Sequence, residues 1–320
     1  MLVIDGAAVS AALSRVELVE TLRAAFRAEI TVPPRHHHAI ETAAGMASLL
    51  LMPAWDAAAA SGDGHVGVKL VTVFPGNAAR GLATVSGLYL LLSGETGAPL
   101  AILDGTALTL WRTAAASALA ASYLARADAS HLLMIGAGAL APHLVAAHAA
   151  MRPIRRVTLW NRDAARAERL AATLRQGGLD DFEIRVARDL AEALPAADII
   201  SCATLAAEPL VQGALVKDGA HLDLVGGFTP MMREADDAAV RRARVYVDGP
   251  AALIEAGDIA VPLRSGVLFE SDIAGDLRGL CRGTAEGRRS ADEITLFKSV
   301  GIALEDLAAA VLVYGKCRAR

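Results

Sequence analysis

Cysteine is scarce in this chain of 320 residues: Cys202, Cys281 and Cys317 stand far apart, in no CxxC and no metal-ligand spacing. Neither a disulfide framework nor a cysteine-held metal is indicated, and reduced cytoplasmic thiols are the plain reading. Aromatic residues make up only 4% against 54% hydrophobic overall, so the core must be built from Ala, Leu, Val and Ile. Charge of one sign is lacking too: 31 basic and 35 acidic residues give a formal net charge of −4, which offers no basic face to a nucleic acid. No run of 18 or more uncharged apolar residues is present to span a membrane. Asp5, Glu17 and Glu20 interrupt an N-terminal stretch with neither the apolar core nor the cleavage site of a signal peptide, so a cytoplasmic location is expected. The length itself suits two domains of ordinary size.

What is present is patterned. Ser14-Arg15-Val16-Glu17 has the form of a capping box, with Leu13 and Leu18 as a hydrophobic staple. Leu18, Leu22, Ala25 and Phe26 then share one helical face, which predicts that the chain opens with an amphipathic helix ending near Ile30, before Pro33-Pro34. Short β-like runs follow at 48–52, 66–73, 88–92 and 99–103, with a hairpin turn at Gly94-Glu95-Thr96-Gly97. An Ala-rich helix is expected over 106–126. From His131 the texture changes: apolar strands at 132–135, 156–160, 183–186, 198–202, 221–225 and 245–248 alternate with amphipathic segments. That alternation predicts an α/β domain with a parallel sheet covered on both faces. A last helix is expected over 294–314.

The strand at 132–135 runs directly into Gly136-Ala137-Gly138-Ala139-Leu140-Ala141, a G-x-G-x-x-A loop between strand and helix. Gly136 permits the tight turn, Gly138 lets the backbone approach a pyrophosphate, and Ala141 keeps the helix close to the strand. Gly136, Gly138, Ala139 and Leu140 are thus candidate dinucleotide contacts. The next strand ends at Asn161-Arg162, where an NAD-binding domain usually places an acidic residue for the ribose hydroxyl. Asn161 and Arg162 offer donors suited to a 2′-phosphate, so NADPH is favoured over NADH. Thr204 stands where Rossmann loops meet the cofactor. Asp223, near a strand end, is a candidate catalytic group that orients the nicotinamide or a water, with a purely structural acceptor as the equal alternative. Thr113 is divided in the same way between a hydroxyl contact and a helix-start residue.

Three cations stand among apolar or turn-forming neighbours: Arg35 after Pro33-Pro34, Lys69 inside an apolar strand, and Arg112 in an Ala-rich helix. A buried Lys needs an anionic partner, and a substrate carboxylate held by an Arg fork with Lys alongside would serve. His36, His37 and His38 cannot all point to one site, so they are expected in a loop flanking a cleft, and no metal site is assigned.

In order and spacing, several stretches resemble the ornithine cyclodeaminase/mu-crystallin family over nearly the whole chain. They are Gly67-Val68-Lys69-Leu70-Val71, Asp104-Gly105, Arg112-Thr113-Ala114-Ala115-Ala116-Ser117, the 136–141 loop, Trp160-Asn161-Arg162, Val225-Gly226-Gly227 and Leu296-Phe297-Lys298-Ser299-Val300-Gly301. The resemblance implies a homodimer. It also implies an α+β substrate-binding and dimerisation domain (1–126 with 295–320) and a Rossmann-type dinucleotide-binding domain (127–294). It implies that Arg35, Lys69 and Arg112 hold a substrate carboxylate, that Lys69 is the candidate for proton transfer, with a bound water as the alternative, and that Val225 and Gly226 line the cofactor. One departure matters: cyclodeaminases carry an Asp two residues after the Val-Gly, and Phe228 stands here. Phe cannot pair with an ammonium group, and the segment looks more like the family's ketimine reductases. These reduce cyclic imino acids such as Δ1-pyrroline-2-carboxylate or Δ1-piperideine-2-carboxylate. The alternatives are an ornithine cyclodeaminase or alanine dehydrogenase, and a mu-crystallin-like NADPH-dependent binding protein.

Overall fold

A seven-stranded and an eight-stranded sheet organise the chain. The computed structural model describes residues 1–58, 64–177 and 181–319. Two units are present, Met1–Thr113 with Ile302–Arg320, and Ala114–Gly301.

The first unit opens on strand β1 (Leu2–Ile4) and a short helix α1 (Gly6–Ala12), both unexpected from the sequence, before helix α2 (Arg15–Arg27). Helix α2 is shorter than expected, because Ile30–Thr31 forms strand β2. Its capping box is also incomplete: the Ser14 hydroxyl donates to the Glu17 carboxylate rather than accepting a backbone amide. Leu18, Val19, Leu22 and Phe26 are nevertheless fully buried on one face of α2, as the periodicity demands.

Strands β3 (His36–Thr42), β4 (Gly45–Asp56), β5 (His65–Val73), β6 (Val85–Ser93) and β7 (Pro99–Asp104) follow. The order is β1-β7-β6-β5-β4-β2, with β3 also paired to β4. The three consecutive histidines, expected in a loop, begin β3 and are exposed. Lys69 pairs with Met52 on one side and Tyr89 on the other. Those residues therefore share the face on which helix α11 (Ala303–Arg318) packs, over β4, β5 and β6. Gly67 sits beneath Tyr89 on that face; a Cβ there would lie 1.9 Å from the phenol oxygen, so only glycine leaves room for the ring.

Helix α3 (Gly105–Leu124) contains the boundary between the units. The second unit is an all-parallel sheet of β8 (His131–Ile135), β9 (Arg156–Trp160), β10 (Glu183–Val186), β11 (Ile199–Cys202), β12 (His221–Leu224), β13 (Ala243–Val247), β14 (Ile273–Asp276) and β15 (Ile294–Lys298). Helices α4 (Ala141–Met151), α5 (Ala164–Gln176), α6 (Leu190–Ala193), α7 (Asp237–Arg242), α8 (Ala252–Glu255), α9 (Gly257–Ser265) and α10 (Leu277–Arg282) connect them. The order β10-β9-β8-β11-β12-β15-β13-β14 puts the reversal of winding between β8 and β11, where doubly wound sheets bind ligands.

The segment 294–314, expected as a single helix, is a strand followed by a helix. Ile294–Lys298 is a fully buried strand inserted between β12 and β13, and the helix begins only at Ala303. A buried parallel strand is apolar on both faces, so its sequence lacks the alternation that tells strand from helix. The first unit runs to Thr113 and resumes at Ile302.

Candidate functional site

In the first unit, Lys69 and Arg112 meet two carboxylates at the start of α11. Lys69 Nζ lies 2.8 Å from Asp306 Oδ2; Arg112 Nε donates to Asp306 Oδ1 at 3.0 Å, and Arg112 Nη1 to Glu305 Oε2 at 2.6 Å. Glu305 and Asp306 are fully buried, and Lys69 and Arg112 nearly so. The anion that a buried Lys69 requires is therefore already in the fold, on residues the sequence did not single out. Burial, reinforced by the neighbouring Arg112 charge, lowers the Lys69 pKa to about 8 against the opposing pull of Asp306 and Glu305. Arg35 immediately precedes β3, whose first residue pairs with Leu51, next to the Met52 that pairs with Lys69. Thr113 follows Arg112 on α3 and is partly buried.

In the second unit, the ends of β8, β9, β11 and β12 converge. Gly136 has φ +106°, and its amide donates to Trp160 O at 2.8 Å, locking the 136–141 turn to the end of β9. A Cβ at Gly136 would lie 2.5 Å from Ala203 O, whereas one at Gly138 would meet nothing within 4 Å. The turn is thus packed on one side and open on the other, with Ala139 and Leu140 leading into α4. This is the cradle a pyrophosphate needs. Asn161 and Arg162 follow β9 beside it; the Asn161 amide donates to Asp163 O, and Arg162 is exposed. Gly226 presses on the end of β11, where a Cβ would lie 2.0 Å from Thr204 O, and Val225 N donates to Cys202 O.

Glu234 binds these strand ends together. Its Oε1 accepts from the Thr204 amide (2.7 Å) and hydroxyl (2.9 Å), and its Oε2 from the Gly226 (2.8 Å) and Gly227 (3.4 Å) amides. The Thr204 hydroxyl, expected at the cofactor, therefore donates to Glu234. Lys298 Nζ lies 3.2 Å from Asp258 Oδ2 and 3.8 Å from Glu234 Oε2, and all three residues are fully buried. Burial and the Asp258 charge outweigh Lys298 and raise the Glu234 pKa.

Asp223 lies among core side chains. It is fully buried inside β12, where Oδ2 accepts from the Ser201 hydroxyl at 2.7 Å and meets His148 Nε2 at 3.0 Å. Burial alone would raise its pKa, but His148, His221 and Ser201 outweigh it and hold it below the usual value. In this arrangement it accepts from core side chains. Phe228, by contrast, is 45% exposed.

The sequence profile of the ornithine cyclodeaminase/mu-crystallin family matches residues 2–320. Protein SAR DEFICIENT 4 of Arabidopsis thaliana is 46% identical over 290 residues, covering 89% of this chain and 87% of the relative. A Δ1-pyrroline-2-carboxylate reductase of Colwellia psychrerythraea is 37% identical over 313 residues, 94% of each chain. The solved structure of the Thermococcus litoralis Δ1-pyrroline-2-carboxylate reductase, in complex with NADH and L-proline, superposes with a TM-score of 0.93 at 34% identity. The superposition covers 100% of this chain and 98% of that one.

Proposed function

This chain belongs to the ornithine cyclodeaminase/mu-crystallin family, and we propose that it reduces Δ1-pyrroline-2-carboxylate to L-proline with a nicotinamide dinucleotide, serving proline metabolism in the cytoplasm. The observation that carries this reading is the buried Lys69, its pKa lowered to about 8 beside Arg112. An iminium accepts hydride far better than a neutral imine, so the reaction needs a proton at the ring nitrogen. Lys69 is still mostly charged at neutral pH yet releases its proton more readily than an ordinary lysine, as a general acid near its operating pH should. Arg35 and Arg112 hold the substrate carboxylate. The reduced dinucleotide, when bound, supplies the hydride. Gly136 and Gly138 admit its pyrophosphate, with Ala139 and Leu140 leading into α4. Thr113 adds a hydroxyl contact, and Thr204, Val225 and Gly226 form the strand-end floor.

Asn161 and the exposed Arg162 favour a 2′-phosphate, so NADPH is expected to show a lower KM than NADH. A six-membered Δ1-piperideine-2-carboxylate differs from the five-membered ring by one methylene. That is worth only ~1–3 kcal/mol of pocket discrimination, so it is a second substrate. Phe228 in place of a carboxylate disfavours ornithine.

The test is oxidation of the reduced cofactor, read by its absorbance, with Δ1-pyrroline-2-carboxylate, for the wild type and Lys69→Gln. The expected loss in the variant is about 100-fold or more. Turnover falls as pH rises through about 8, where Lys69 loses its proton. Ornithine-dependent ammonia release without imine reduction would overturn the reading, and so would full activity of Lys69→Gln.

The second half of the reading is a homodimer. The sheet face opposite Lys69 carries Leu51, Val68, Leu70, Leu88, Leu90 and Ile102, aligned by strand pairing, with Leu70 39% and Leu88 53% exposed. An apolar row of this kind, with Asp104 paired to Leu88 and His36 paired to Leu51 at its margins, marks an interaction surface. A second copy covering it gives a solution mass twice the 33.1 kDa of the chain. A monomer by light scattering, unchanged when Leu88 becomes Lys, would contradict this.

A further inference from the structure

Glu305 and Asp306 stand in the first turn of α11, where acidic residues are common because they complement the helix dipole, but such residues ordinarily face water. These two are fully buried and face inward. We propose that Asp306 is a positioning residue: receiving Arg112 on one oxygen and Lys69 on the other, it keeps the Lys69 ammonium charged and fixed in place for proton delivery. The inference rests on the reading of Lys69 as proton donor.

The charges around Lys69 support it. Arg112 reaches in from α3 and repels the ammonium; Asp306 and Glu305 reach in from α11 and attract it. Met52 on β4, its other strand neighbour, carries no charge. Tyr89, paired with Lys69 from β6, stays a neutral phenol, because burial and then the Asp306 charge push its pKa well up. Of the four groups named, two cations face two anions while Lys69 is protonated. Losing that proton leaves one net negative charge in a buried setting, which disfavours premature loss. Arg112 alone would drive Lys69 the other way, toward the neutral amine. In the reaction, carbon 2 of the imine receives a hydride and the ring nitrogen a proton. Lys69 is left as the neutral amine and takes a proton back from water. Asp306 neither gains nor loses a proton.

The experiment is the pH profile of kcat/KM for imine reduction in the wild type, Asp306→Asn, Glu305→Gln and Lys69→Gln, with folding checked by circular dichroism. Asp306→Asn should move the alkaline limb from near 8 toward acid by roughly one to three pH units. Glu305→Gln should move it the same way by less. A folded Asp306→Asn whose activity drops equally at every pH, with the limb unmoved, overturns the proposal and leaves Asp306 a structural acceptor. If Asp306→Asn does not fold, Glu305→Gln decides: a smaller acid shift supports the proposal and an unmoved limb overturns it. Full turnover by Lys69→Gln removes the proton-donor reading itself, which separates that failure from a failure of Asp306 to tune it.

Discussion

Replacing Arg112 with Ala should destabilise the first unit by about 3–5 kcal/mol, the usual cost of removing one partner from a buried ion cluster. The residue is 5% exposed, and its side chain donates to both Glu305 and Asp306, each fully buried. Without it Glu305 loses its 2.6 Å contact and Asp306 its 3.0 Å contact with the guanidinium. The denaturant midpoint should fall while the slope of the transition is retained, because the folded and unfolded surfaces barely change. A loss under about 1 kcal/mol at neutral pH would show that the cluster is not held as described. One consequence concerns assays: lost turnover in Arg112→Ala does not by itself report a lost substrate contact. Arg112→Lys, which retains charge but not the two-pronged donor geometry, is the fairer probe.

Glu234→Ala should be comparably damaging to the second unit, again by about 3–5 kcal/mol. One carboxylate satisfies the amides of Thr204, Gly226 and Gly227 and the Thr204 hydroxyl, and it lies near the buried Lys298. Each buried donor left unsatisfied costs about 1–3 kcal/mol before relaxation. The same loss frees the strand ends beside the Gly136 turn, so the dissociation constant for reduced cofactor, read by its fluorescence, should rise along with the fall in melting temperature. Glu234→Gln retains one acceptor and the volume, and should lie between the wild type and Ala. An Ala variant that melts normally and binds cofactor normally would contradict this role.

The sequence by itself determined the parts of this protein whose physics is local. The apolar run 132–135, the two glycines and Ala141 specify a strand, a tight turn and a helix within eleven residues, and φ +106° at Gly136 is the conformation that choice of residue allows. The apolar strand carrying Lys69, the glycine-flanked turn at 94–97 and the 3.6-residue stripe of α2 were legible for the same reason: each is set by residues close together in the chain. Tertiary structure alone decided the rest. Arg112 meets its carboxylates 193 and 194 residues away, and no local pattern announces a partner at that distance. Asp223 stands near a strand end in the sequence, yet its surroundings come from Ser201 on a neighbouring strand and His148 on a helix. Ile294–Lys298 became a strand because a place between β12 and β13 accepts an apolar segment on both faces. Burial and charge balance belong to the assembled fold, since they depend on every residue that closes around a group and not only on those beside it in the chain.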